Sequence, residues 1–209
     1  MIEPSAKRTV AFVDGQNLYH AVREAFGYTY PNYDILALAK RVCDLKSWSL
    51  QQVRFYTGVP DAADNAFWNH FWTHKLAQLG REGVWAFSRP LRYRNRRVKL
   101  PDGTEQTYLT AEEKGVDVRL ALDVIRMAYH NEYDVALLFS QDQDLSEVAI
   151  EVREVSREQS RWMKVASAYP KSLTYHNSRG VDKTDWIPFD RAFYETCLDS
   201  RDYRPKKTT

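Results

Sequence analysis

Short apolar runs alternate with helix-period segments along this chain, and that alternation leaves few architectures open. TVAFVD (9–14) and YDVALLFS (133–140) are continuous apolar runs that end in polar residues, the pattern of strands covered on both faces. Residues 52–59 alternate and stop at Pro60, and 83–88 and 162–166 are further extended stretches. Between them lie helical periods at 16–26, from the cap Asp34 to about Asp44, and at 62–79, 112–129 and 143–155, with a short one at 191–197. Leu145, Val148, Ala149 and Val152 mark one such apolar face. Strands that alternate with helices build βαβ units, so the expected fold is three-layer α/β, a mainly parallel sheet with helices on both faces.

One segment departs from this frame. Residues 89–109, RPLRYRNRRVKLPDGTEQTYL, read as two extended arms around a PDG turn, a β-hairpin inserted before the helix at 112. Its first arm, 89–99, carries five arginines and one lysine with no acid, and Tyr93 stands among them. Arginines pair with phosphates in bidentate fashion and stack on bases, so Arg92, Tyr93, Arg94, Arg96 and Arg97 are expected to contact RNA. The alternative is a solvated hairpin or one that meets another subunit.

At 209 residues the chain is expected to be one domain over 1–195, with a short basic tail over 196–209. The net charge of +2 excludes a whole-protein field that attracts nucleic acid, so any attraction is local. Cys43 and Cys197 lie far apart without a CxxC spacing, which excludes a cysteine zinc site or a disulfide scaffold and suggests inert thiols in a reducing compartment. MIEPSAKRTVAFVD has no apolar signal core and no stretch reaches the length of a membrane span. The expectation is a cytoplasmic protein without a membrane partner.

In an open parallel sheet, ligands sit outside the carboxyl ends of the strands. Asp14 ends the first strand there, with Gly15 beside it and Asn17 opening the next helix; a polar cap of that helix explains Asp14 equally well. SQDQD (140–144) follows the second apolar strand, so Asp142 and Asp144 share the same rim, where a helix cap would need only one acid. On a helical wheel Asp117 falls with Ala121, Val124 and Ala128 in the apolar stripe, while Asp123 falls beside Arg119 and Arg126 toward water. An inward carboxylate requires compensation, either from Lys114 one turn earlier or from a cation. Four converging carboxylates repel one another, and oxygen ligands without His or Cys suit Mg²⁺ or Mn²⁺, the ions of phosphoryl chemistry.

VDGQNLY (13–19), KGVDVRLALD (114–123) and SQDQDL (140–145), in this order, resemble the NYN family, a branch of the PIN-like nucleases. FYTGVPD (55–61) and DWIPF (185–189) fit the same pattern, and the resemblance spans about 8–190. It implies a PIN-like fold and Mg²⁺- or Mn²⁺-dependent cleavage within RNA that leaves a 5′-phosphate and a 3′-hydroxyl. Carried over by position, Asp14, Asp117, Asp142 and Asp144 would be the catalytic and metal-binding acids, and Asn17 and Ser140 supporting polar groups. The family carries glycine where Gln141 and Gln143 stand, and phenylalanine at Leu145. Glutamines there would narrow the approach to a metal. The alternatives are a catalytically weak RNA-binding module and a protein-interaction subunit that uses the Trp-rich helix; homo-oligomerisation is left open.

Other features carry less. Tyr28, Tyr30 and Tyr33 read as a loop packed on the core, Trp68, Phe71 and Trp72 as core or interface, and His70 and His74 as a histidine pair without an obvious third ligand.

Overall fold

The computed structural model describes residues 1–99 and 104–206, without the side chains of Arg96, Leu109 and Ala111. Its centre is a six-stranded sheet, built from β1 (Lys7–Asp14), β2 (Trp48–Val59), β3 (Trp85–Pro90), and, in chain order after an antiparallel pair, β6 (Val135–Phe139), β7 (Lys164–Pro170) and β8 (Asp185–Phe189). The spatial order is β3-β2-β1-β6-β7-β8, and every pairing is parallel. The chain therefore winds outward from β1 to one edge, then returns to β6 and winds to the other. Its order reverses between β1 and β6.

The helices α1 (Gly15–Phe26), α2 (Ile35–Lys46), α3 (Ala66–Arg81) and α6 (Arg191–Glu195) share one apolar cluster with alternate sheet residues Ala11, Val13 and Phe55. The helices α4 (Val116–Tyr129) and α5 (Ser146–Glu158) share the other with Val10, Phe12 and Tyr56. Period-two alternation along β1 thus feeds both faces, and three layers result. Tyr33 is fully buried and Tyr28 and Tyr30 pack partly on the first cluster, along with Phe71, Trp72 and the half-buried Trp68. Both cysteines are buried and free, and burial pushes the Cys43 thiol up to about 12. The stretch after α6 packs on the domain as well. Asp34 donates to the Cys197 carbonyl, and the buried Lys75 lies 3.5 Å from Asp199. Among the described residues, no helix is long and apolar enough to cross a membrane.

The strands β4 (Arg92–Lys99) and β5 (Glu105–Glu112) pair antiparallel as a separate two-stranded sheet. The PDG turn expected between them lies outside the described residues. Because β5 takes up residues as far as Glu112, α4 begins at Val116 and not at 112.

The wheel reading of α4 is corrected. Asp117 is exposed, whereas Asp123 is 1% exposed and lies on the core face with Val116, Leu120, Val124 and Met127. The reason is compensation from another strand: Arg54 of β2 reaches Asp123 at 3.0 Å and Tyr56 donates to it at 2.9 Å, so a carboxylate is tolerated inside.

Candidate active site

The strand order reverses between β1 and β6, and open parallel sheets bind ligands outside the carboxyl edge at such a reversal. Asp14 ends β1 and is also the N-cap of α1, accepting the Asn17 N–H at 3.0 Å. The capping role and the rim position therefore belong to one carboxylate. Its other oxygen accepts from Ser140, 3.3 Å away at the end of β6. Asn17 accepts the Gln141 N–H at 2.9 Å, which ties the start of α1 to the turn after β6. Gly15 lets these parts meet: a Cβ there would stand 2.5 Å from the Phe55 ring.

The turn after β6 is arranged by its own polar groups. Ser140 Oγ accepts the Asp142 N–H at 3.1 Å, and the Asp142 carboxylate accepts the Asp144 N–H at 3.0 Å, capping a short 3₁₀ turn. Asp142 is half-buried, and Asp144 is exposed.

Asp117 arrives from the other side, in the first turn of α4. Gly115 caps this helix with φ of +74°, a left-handed turn that a side chain disfavours, and a Cβ there would meet Arg89 at 2.8 Å. The KGVD sequence is thus the bend that delivers Asp117 to the rim. Lys114, one candidate partner of Asp117, instead lies 3.6 Å from Glu112. Among the described residues, no ion pair neutralises Asp14, Asp117 or Asp142.

The acids act on one another. Burial pushes the Asp14 carboxyl up to about 6; its hydrogen bonds from Asn17 and Ser140 oppose this, and the negative charges of Asp142 and Asp117 add to it. Glu113 joins the group and was missed from sequence. Burial, with the charges of Asp14 and Asp117, pushes it up to about 7, although the Gly58 N–H donates to it. Its only signal was an acid directly before KGVD. Among the described residues, no three carboxyl, imidazole or thiol groups already stand at the spacing of one shared ion. The chemistry of the donors suits a hard divalent cation all the same: they are oxygen-only, unpaired and mutually repelling.

Gln141 and Gln143 do not turn toward Asp14. The Gln141 amide donates to the Asn177 and Arg179 carbonyls at 3.0 and 2.6 Å and accepts from Tyr175 at 2.9 Å. Gln143 donates to Gly180 and accepts from the Asp182 N–H, each at 3.1 Å. Both side chains pin the connection between β7 and β8.

The remaining expected residues lie on β4. Arg92, Arg94 and Arg97 are exposed and Tyr93 is half-buried; Arg94 lies 3.8 Å from Glu112, and Arg92 stands opposite Glu112 in register. The Arg96 side chain and the tail from Lys207 lie outside what the structure describes. On α3 the His70 and His74 rings are 4.0 Å apart, with His74 Nδ1 at 2.8 Å from the His70 carbonyl.

The NYN domain model matches residues 8–174 of this chain. No curated protein matches it. A crystal structure of a Vibrio parahaemolyticus protein of unknown function is similar over 91% of this chain and 98% of its own, with 18% identity and a TM-score of 0.49. The Acinetobacter baumannii MurG structure is similar over 87% of this chain and 45% of its own, with 11% identity and a TM-score of 0.34. At these values neither fixes the function of this chain.

Proposed function

This chain belongs to the NYN domain family, and we propose that it is a Mg²⁺- or Mn²⁺-dependent ribonuclease that hydrolyses phosphodiester bonds within RNA. NYN domains are nuclease-like RNA-processing domains, and a PIN-like three-layer fold carries them. The observation that supports the finer reading is the approach of Asp14, Asp142 and Asp117, from three separate segments, at the reversal of strand order without a basic partner among the described residues. A structural role would pair such acids with cations of the chain, as Asp123 is paired.

In this reading Asp14, Asp117 and Asp142, with Asp144 at the open end, hold the divalent cation, which supplies charge neutralisation and Lewis acidity at the scissile phosphate. Ser140 and Asn17 keep Asp14 in place, since each binds both the acid or its segment and the turn after β6. Glu113, pushed up to about 7, carries a proton at neutral pH more readily than an ordinary carboxyl and so limits the charge crowded at the rim. The arginines of β4 offer charge-assisted contacts to the phosphates on either side.

The test is incubation of single-stranded and structured RNA with Mn²⁺, Mg²⁺ or chelator. Cleavage that needs the ion and leaves 5′-phosphates is expected. RNA that binds but stays intact with every ion would replace the enzyme by an RNA-binding module.

A further inference from the structure

A cavity of about 550 Å³ lies between α1, whose Gln16 stands two residues past Asp14, the first half of α3 and the start of β4. Its size suits a small planar ligand with part of its backbone. Gln16 and Tyr19 reach it from α1, just past Asp14, Asn65 and Trp68 from the start of α3, and Tyr93 from β4. The Tyr19 and Trp68 rings form a wall, with centroids 5.8 Å apart, and the Tyr19 hydroxyl is held by its bond to the Thr29 carbonyl at 2.9 Å. All three aromatic residues are half-buried and present part of their surface.

The rim of this wall is polar and unused. Among the described residues, the side chains of Gln16 and Arg23 make no hydrogen bond or ion pair, and Asn65 spends only its oxygen, on the Trp68 N–H. Flat aromatic surfaces edged by free amides, a guanidinium and the Asp64 carboxylate, which offer both donors and acceptors, suit a heterocycle with hydrogen-bonding edges better than an aliphatic chain. On the β7 side of Asp14 the rim is occupied by the loop that Gln141 and Gln143 pin. Pro60, directly after β2, lines the cavity, and no described residue of that loop does.

We propose that this cavity takes one unpaired nucleobase of the RNA strand, stacked on the aromatic wall, next to the site of cleavage. The identity of the polymer rests on the ribonuclease reading; the cavity and its chemistry do not. A base inside an A-form duplex cannot present its face, so the cavity selects single-stranded or looped RNA.

The experiment measures binding in chelator, where nothing is cut, of a labelled single-stranded oligoribonucleotide and of copies with an abasic ribose at each position in turn. For the wild type, one or two abasic positions should weaken binding about tenfold, the scale of removing one stacked base. Tyr93→Ala and Tyr19→Ala should each weaken the intact strand and be indifferent to the abasic position, because the base and the ring make a single interaction that either change removes. Tyr93 lies on β4, in a separate sheet, so its variant tests the cavity if Tyr19→Ala does not fold. Abasic strands that all bind like the intact one, or that weaken as much with the variants as with the wild type, overturn the proposal. Parallel assays with Mn²⁺ separate the two readings. Cleavage without any abasic effect keeps the ribonuclease and removes the cavity's role; abasic-sensitive binding without cleavage does the reverse.

Discussion

Helix α4 carries Asp117 and Asp123 in opposite conditions. Asp123 is buried, yet Arg54 and Arg119 each lie 3.0 Å from it and Tyr56 donates to it. Burial alone would push its carboxyl up, but those bonds outweigh burial and hold it below the usual range. Arg54 in turn stacks on Trp85, 3.7 Å from the ring centroid. Asp117 is exposed at the rim, and its charge bears on Asp14 and Glu113 and raises both. One acid has its compensation built into the protein. The other belongs to a group whose charge the protein leaves open, as the proposed role in holding a cation requires.

The largest effect expected from this contrast is on cleavage. Asp117→Asn should lower the rate of RNA cleavage by at least about a hundredfold, the scale of losing one preorganised charged group. The metal-free variant should melt no earlier than the wild type, since among the described residues Asp117 has no cationic partner to lose. A clear drop in its melting temperature would place Asp117 with Asp123 as a structural acid and erase the contrast.

Next in size is the stability of the interior. Asp123→Ala leaves the Arg54 guanidinium, 7% exposed, without its carboxylate. Removing one partner of a buried pair costs about 3–5 kcal/mol. Denaturant unfolding measures this directly, and a cost below about 1 kcal/mol would mean that Asp123 is not held as described.

The rim acids predict a pH dependence. Asp14 is raised from 3.8 to about 6 and Glu113 from 4.5 to about 7, so the metal-free folded state keeps protons that the unfolded chain has released. Their contribution to stability is complete below about pH 4 and is lost as pH rises through 6 and 7. The difference in melting temperature between wild type and Glu113→Gln, in chelator from pH 4 to 8, isolates the upper part. A difference that stays constant over that range would remove Glu113 from the group. Divalent ions compete for the same oxygens and should bind more tightly over the same rise.

The smallest effect concerns the arginines of β4. Replacing Arg92, Arg94, Arg96 and Arg97 by Ala should flatten the salt dependence of RNA binding, by about 0.7 in log–log slope for each phosphate that an arginine had neutralised. Arg94 and Arg92 face Glu112, so the change should be smaller than four fully engaged arginines would give. A slope that does not move would show that the arm meets solvent or another protein.

Much of the architecture is legible in the residues because burial on both faces leaves an unmistakable pattern. β1 and β6 are apolar runs, and the acids that follow them stand directly at strand ends, so Asp14, Ser140 and Asp142 could be placed at one edge before any coordinates. Strands at the periphery are harder to read. β8 escaped because DWIPF includes Pro188 and buries only Ile187 and Phe189, as an edge strand does. β2 begins at Trp48, ahead of the expected 52, since its first half is only partly covered.

The pattern of apolar and polar residues along the chain settles which segments become strands or helices, because each segment's period records the face it must bury. It also ties each acid at a strand end to the rim of the sheet. Rotation and company are decided elsewhere. Which side of α4 faces inward depended on Arg54 and Tyr56 of β2, the approach of Glu113 on the backbone of Gly58, and the aromatic cavity on helices and a hairpin arm distant in sequence. The cost of burying a charge depends on what surrounds it in three dimensions, so only the tertiary structure could decide that Asp123 is compensated inside while Asp117 is left at the rim.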